Sequence, residues 1–551
     1  VSNKEIKITE EAAAAAKLVY DQFMQFYQEF RQIPNQAKLA FENRDHQESL
    51  NLSSRRLRLY SISIRNIGEQ IKEQLACLSE SEQHWSLVET QYRKMVAEEY
   101  FADLSMAYLH SIRRKIYQGE WRAEDYALYR SKYQTDSDFQ DDVDCYSVSK
   151  AALSHVIQKI LESAGFNLSY KNLHRDVEKI VERAKKNLGG TGEVESEFDI
   201  EMFRAIFFRN RGAYLVGRAN FQSGRIQPLI IALLNSDDGV YVDALITSRT
   251  YAHNMFSSTL ANFHVTNEHY HELCRFLRSI MPSRPLGLHY STVGYNHLGK
   301  VAVMNEMEEE WEQYGETMSV APGTPGTVAI GFCMPDSAYV LKVVRDKPTE
   351  GYKWGEFSGV ESVLRKYNQV HEINRTDSML DSIVYYNFRL RLDWFADDLK
   401  ELLLDQAGGS VRVDNQDLVF KYLIVQRKLT PLPIYLETAS QKQKETAMVN
   451  LGYCIRNNAA GNIFNRDLDA RNYGVSSMRK VYLFDYDAIE PLTEIKVRTN
   501  LDRIDGEEDI PDWYFEDGVI FLPEELTTGL CLPFRELRRL FSDEHKQLHT
   551  V

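Results

Sequence analysis

The chain has 551 residues, too many for one hydrophobic core, so about three or four compact units or two large domains are expected. Its net charge of −15 argues against general nucleic-acid binding, which needs basic patches, and no run of about eighteen apolar residues is present to span a membrane. Hydrophobic content of 43%, with 31 Tyr and 26 Phe, suits a globular protein with large packed interiors.

The first half reads mainly as helix. EEAAAAAKLVYDQFMQFYQEFRQI carries Tyr20, Phe23, Tyr27 and Phe30 at helical spacing behind a candidate cap, Thr9, and the aromatic stripe reads as core. The acidic residues before its Ala run do not suit a secretory signal. Cys77, Cys145, Cys274, Cys333, Cys454 and Cys531 are scattered with no CxxC pair, so neither zinc site nor disulfide framework is indicated and a cytoplasmic protein is expected. KYQTDSDFQDDVDCYS, 132–147, lacks the glycine and terminal Glu of a calcium loop and reads as a solvated loop. AYLVGRANF, RIQPLIIALL and GVYVDALIT, separated by QSG and NSDDG turns, predict a small antiparallel sheet set into the helical region. Helical character returns at NEHYHELCRFLRSIMP, and Pro282 and Pro285 mark a candidate boundary zone.

Beyond it, SVAPGTPGTVAIGFCMPDSAYVLKVVRD reads as strand, turn, strand, turn, strand; 352–408 reads as mostly helical. DLVFKYLIVQRKLTPLPIYLE is a strand running into a connector, and KQKETAMVNLGYCIRNNAAGNIF is helical. The fold class is therefore α+β: a mainly helical domain with a small antiparallel sheet over 1–300, then a bilobal domain over 301–551. Its β-rich lobe covers about 301–430 and its helical lobe about 431–551.

The chemistry gathers in NIFNRDLDARNYG, 462–474, and YLFDYDAIEP, 482–491. Charged groups at the ends of core strands are costly unless paired, so they are either solvated turn acids or holders of a cation and its substrate. Asp467 and Asn472 have the D-x4-N spacing of a kinase catalytic loop, with Arg466 before the Asp and Asn465 where His is usual. Asp485 follows 13 residues after Asn472, room for a β-hairpin returning to the same pocket, and Asp485-Tyr486-Asp487 stands where D-F-G is usual. Upstream, Lys342 sits inside the apolar strand YVLKVVRD, either as a phosphate-binding amine or as an exposed lysine on an edge strand. The turn formed by Ala321, Pro322, Gly323, Thr324, Pro325, Gly326 and Thr327 could aim backbone N–H groups at phosphates; an ordinary hairpin would look the same. Glu361 is the first choice for the glutamate that pairs the lysine, with Glu356 second. In this reading ATP is the phosphoryl donor and Mg²⁺, with Mn²⁺ as alternative, sits on Asn472 and Asp485.

These segments, together with MFRAIFFRNRGAYLVGR at 202–218, resemble the isocitrate dehydrogenase kinase/phosphatase family over about 200–535. The resemblance implies a kinase-like bilobal domain, an N-terminal regulatory domain with AMP as allosteric effector, and ATP, ADP and AMP as ligands. It also implies a serine of isocitrate dehydrogenase as the group phosphorylated and dephosphorylated, which switches carbon into the glyoxylate bypass; a homodimer stays open. It carries Ala321–Thr327 and Lys342 over as ATP contacts, Asp467 as catalytic aspartate, and Asn472 and Asp485 as metal ligands. From the resemblance alone, Asp381 in HEINRTDSMLDSIVYYNF acts in dephosphorylation; its residue context is an Asp before the strand-like SIVYYNF, which suggests only a helix end or turn. Asp487 is assigned to water positioning beside Asp381. Ala488 stands where the family often has Glu, so a weaker phosphatase is expected. The open alternatives are a small-molecule phosphotransferase and a catalytically inactive kinase-like scaffold.

Overall fold

Good helix formers and apolar residues at 3.6-residue spacing build the N-terminal third. In the computed structural model, which describes residues 3–128, 142–149, 153–188, 197–256, 263–352, 357–370, 378–499 and 519–550, one helix runs over Asn3–Glu42. Thr9 therefore lies inside the helix and is not its cap; its hydroxyl donates back to the Glu5 carbonyl at 2.9 Å. The helix also continues through Pro34. Phe23, Tyr27 and Phe30 are buried in an aromatic cluster with Phe26, Tyr60 and Tyr108, as the stripe predicted. The chain reverses at Arg44, and Asp45 caps the helix His46–Gln74 by accepting from the Glu48 N–H at 2.9 Å.

The three expected strands form as Gly212–Phe221, Ile226–Ser236 and Gly239–Ile246, antiparallel neighbours in a seven-stranded sheet. Gly224 takes a positive φ of 79° in the turn between the first two. The expected loop at 132–147 needs correction. Residues 129–141 lie outside the described residues, but Val143–Ser149 is an edge strand paired antiparallel with Glu197–Phe203. Its alternation explains this, since Tyr146 and Val148 turn toward the core while Cys145 and Ser147 face out. The amphipathic helices Leu153–Ser163 and Leu173–Leu188 cover the sheet and share its core through Ile157, Ile160, Ile180 and Leu229.

The chain divides into two compact units, Val1–Phe256 with Leu260–Glu309, and Ser257–Thr259 with Glu310–Val551; the division falls inside the helix Asn296–Tyr314. Pro282 and Pro285 lie within the first unit.

In the second unit an all-antiparallel sheet runs, in spatial order, Ser382–Arg391, Asp417–Arg427, Tyr339–Val344, Ala329–Cys333 and Ser319–Val320. Val411–Asp414 adds to Asp417–Arg427. The segment expected as mostly helical holds helices at Val360–Gln369 and Asp397–Gln406 with the strand Ser382–Arg391 between them. That strand is rich in β-branched and aromatic residues and pairs with Asp417–Arg427 along its length. After the sheet come the helices Leu432–Thr438, Gln441–Ala460 and Arg535–Glu544. Among the described residues no helix is long and apolar enough to cross a membrane.

Candidate active site

Lys342 sits in a strand flanked on both sides, opposite Gly331 on one neighbour and Ile424 on the other, so it is not on an edge. Only 6% of it is exposed. Its Nζ donates to the Phe484 carbonyl at 3.0 Å and to the Tyr367 hydroxyl at 3.4 Å, and stands 4.0 Å from Asp485 Oδ1. Burial lowers its pKa, and the Asp485 and Asp487 carboxylates oppose that shift. Glu361 is not its partner: that side chain is exposed and lies 3.9 Å from Lys421 Nζ. The helix turns it outward, since Val363, Leu364 and Tyr367 occupy the buried face. Glu356 lies outside the described residues.

The predicted hairpin after the D-x4-N element is present. Tyr473–Val475 pairs antiparallel with Val481–Leu483, and the Phe484 N–H donates to the Asn472 carbonyl at 3.1 Å. This delivers Asp485 back to the loop that carries Asp467. That loop is closed internally: Asn472 Nδ2 donates to the Asp467 carbonyl at 2.8 Å, and Asn465 Oδ1 accepts from the Asp467 N–H at 3.1 Å. The amide oxygen of Asn472 is thereby set opposite its bonded NH₂ end. On the far side, Ile463–Asn465 pairs with Ile489–Pro491, and the Arg466 N–H donates to the Ala488 carbonyl at 2.9 Å. Two short ladders thus clamp Asp467, Asn472, Asp485 and Asp487 into one junction.

Asp487 registers the crowding. Its carboxyl is pushed up to about 7 by burial first, then by Asp485 and Asp467, with Lys342 and Lys366 acting the other way. These are not solvated turn acids. Lys366 Nζ also donates to the Asp487 carbonyl and to Glu490 Oε1, each at 3.0 Å.

Asp381 directly precedes the strand Ser382–Arg391. The residues before it dock on the Asp485 strand: Leu380 N–H donates to Leu483 O at 2.9 Å and Leu483 N–H to Ser378 O at 3.0 Å. The buried Tyr486 hydroxyl donates to the carbonyls of Leu380 and Leu483. The residues just before Asp381 are therefore tied to the Leu483–Tyr486 segment.

The Ala321–Thr327 turn joins two sheet strands, and the Ala321 N–H donates to Gly331 O at 2.8 Å, with Gly331 opposite Lys342. The turn lies at the edge of the strand that faces the lysine. Gly323 has a φ of 120°, open to glycine, and a Cβ there would come 3.3 Å from Pro431 Cγ. A side chain at that position would be strained.

A divalent cation fits this donor set. Carboxylate and amide oxygens are hard ligands, and Mg²⁺ is commonly held by one or two carboxylates plus substrate phosphates. Sequence reasoning missed Tyr367, Lys366 and Gln426, whose Nε2 donates to Phe484 O at 3.0 Å. The signal available for Tyr367 was a phenol on the apolar face of its helix, where a buried hydroxyl must find a partner.

Two family models match the chain. "Isocitrate dehydrogenase kinase/phosphatase (AceK), regulatory domain" matches residues 16–314, and "Isocitrate dehydrogenase kinase/phosphatase (AceK) kinase domain" matches residues 316–551. An isocitrate dehydrogenase kinase/phosphatase of Rhodopseudomonas palustris strain HaA2 is 45% identical, over 98% of this chain and 89% of that protein. Isocitrate dehydrogenase kinase/phosphatase 2 of Pseudoalteromonas translucida is 29% identical over 88% of this chain and 84% of its own length. A relative from Dechloromonas aromatica is 26% identical over 96% and 89%.

Proposed function

The chain belongs to the isocitrate dehydrogenase kinase/phosphatase family, and on that premise we propose that it phosphorylates and dephosphorylates a serine of isocitrate dehydrogenase, with ATP as donor. A phosphate on a serine adds roughly −2 charge, which opposes binding of an anionic substrate and diverts carbon to the glyoxylate bypass.

One observation carries the reading: a buried lysine and a set of acidic and amide oxygens, far apart in sequence, meet at one junction. Lys342 would neutralise ATP phosphates, giving up its bond to the Phe484 carbonyl to do so. Asn472 and Asp485 would hold Mg²⁺ or Mn²⁺, which neutralises phosphate charge when bound. Asp467 would accept or orient the serine hydroxyl proton. Backbone N–H groups of Gly323, Thr324, Gly326 and Thr327 would cover the phosphates, with Ala321 anchoring the turn to Gly331 and Pro322 and Pro325 stiffening it. In dephosphorylation Asp381 and Asp487 would position water. A carboxyl near 7 can take or give a proton at neutral pH, which suits Asp487 to that role. AMP would act as effector through the regulatory domain.

The test is intact-mass measurement of purified isocitrate dehydrogenase incubated with the protein, Mg²⁺ and ATP. One added phosphoryl group, removed again by the same protein when nucleotide is retained and ATP depleted, is the expected result. An unchanged mass under all conditions would refute the proposal, and phosphorylation of a metabolite instead would favour the small-molecule reading.

A further inference from the structure

In the general kinase scheme the strand lysine is fixed by a glutamate on the adjacent helix. Among the described residues, the carboxylate within 4.0 Å of Lys342 Nζ is that of Asp485, not a helix glutamate. The helix Val360–Gln369 instead presents Tyr367. Its ring is fully buried against Tyr486, at 5.0 Å between centroids. Its hydroxyl donates to Asp485 Oδ1 at 3.0 Å and lies 3.4 Å from Lys342 Nζ. One oxygen thus touches both ends of the Lys342–Asp485 pair. The next residue back, Lys366, holds the Asp487 carbonyl and Glu490 from the same helix. The helix therefore grips both aspartate positions of the Asp485–Asp487 segment through adjacent residues.

We propose that Tyr367 is a positioning residue that takes the place of the helix glutamate, its hydroxyl setting Lys342 and Asp485 at the spacing that a metal-bound triphosphate requires. The inference rests on the reading of this junction as an ATP–metal site. It differs chemically from the glutamate arrangement. A phenol is neutral, so it aligns the lysine without adding a further negative charge to a junction that already holds several carboxylates. A hydroxyl can donate to the carboxylate and accept from the ammonium at once. A carboxylate in its place would compete with the metal ligands for the lysine.

The test uses the full chain and Tyr367→Phe, which keeps the buried ring and removes the oxygen. Binding of Mn²⁺ in the presence of ATP is followed by electron paramagnetic resonance, alongside thermal unfolding and kinase kinetics. The expected result is a loss of Mn²⁺ affinity of about ten- to a hundred-fold and a rise in KM for ATP, the usual scale for a group that orients a ligand, with the unfolding midpoint nearly unchanged. In a Lys342→Met background the same substitution should have a much smaller effect, because one end of the bridge is already gone. Equal Mn²⁺ binding by parent and variant, additive effects in the double variant, or loss of the fold without a separate effect on metal binding would each overturn the proposal. Failure of the parent itself to bind Mn²⁺ with ATP would instead remove the ATP–metal reading beneath it.

Discussion

Lys342 is buried among a carbonyl, a phenol and a carboxylate, an arrangement that would be costly for a structural lysine on a strand that could have carried valine. The sequence made this residue visible because an ammonium interrupts an apolar run. Asp467, Asn472 and Asp485 were visible because their relation is a matter of spacing along the chain, which the hairpin Tyr473–Leu483 preserves. The partner of the lysine was not visible. Glu361 and Tyr367 lie six residues apart on one helix, and only the helix's rotation decides which faces the site. Asp381 was legible only by resemblance, since its approach depends on Ser378–Leu380 docking beside Leu483. Asp381→Ala is expected to lower phosphatase turnover by roughly 10²–10⁴-fold, the range of a lost acid–base group, while the kinase rate changes little. Parallel assays of the two directions check this; an unchanged phosphatase rate would eliminate the assigned role.

Elements hold the junction by close packing as much as by ladders. Gly452 on the helix Gln441–Ala460 meets the buried His545 just past Arg535–Glu544, and a Cβ there would lie 2.1 Å from the ring. His545 is itself wedged beside Tyr453 and Phe541, so it has little room to yield. Gly452→Ala gains about 1 kcal/mol of helix propensity but should lose about 1–3 kcal/mol to overpacking, for a net fall in the urea midpoint. A rise in midpoint would show that the helices can part. In the first unit, Asp125 is buried with Arg113 Nη2 at 2.8 Å, Arg114 Nη1 at 2.6 Å and His110 Nδ1 at 2.8 Å. Burial would raise its carboxyl, but His110, Arg114 and Arg113 outweigh it and hold the group below the usual carboxylate range. A depressed carboxyl contributes stability above its unfolded value of about 4 and loses it as pH falls through the lower folded value. Asp125→Asn should therefore destabilise by about 3–5 kcal/mol at pH 7, since the buried Arg113 and Arg114 guanidinium groups lose their closest carboxylate. The gap from the parent should hold down to about pH 4 and close below it. Urea unfolding at several pH values reads this directly; a gap that widens in acid would contradict the sign.

Over the whole molecule, the order of helices and strands was readable because hydrophobic period changes from 3.6 to 2 along the chain. The edge strand Val143–Ser149 escaped because acidic residues before it mask a short alternating run, and its pairing partner lies some fifty residues away. Within the segment read as mostly helical, SIVYYNF stood out as strand-like, and pairing with Asp417–Arg427 extends it to the strand Ser382–Arg391. Long-range pairing, not local preference, also builds the site. The most direct measurement of the central claim compares the parent with Asp467→Ala, using calorimetry for ATP with Mg²⁺ and phosphoryl transfer to isocitrate dehydrogenase. Nucleotide binding should stay near parental while transfer falls by roughly 10²–10⁴-fold. Transfer at the parental rate would contradict the claim.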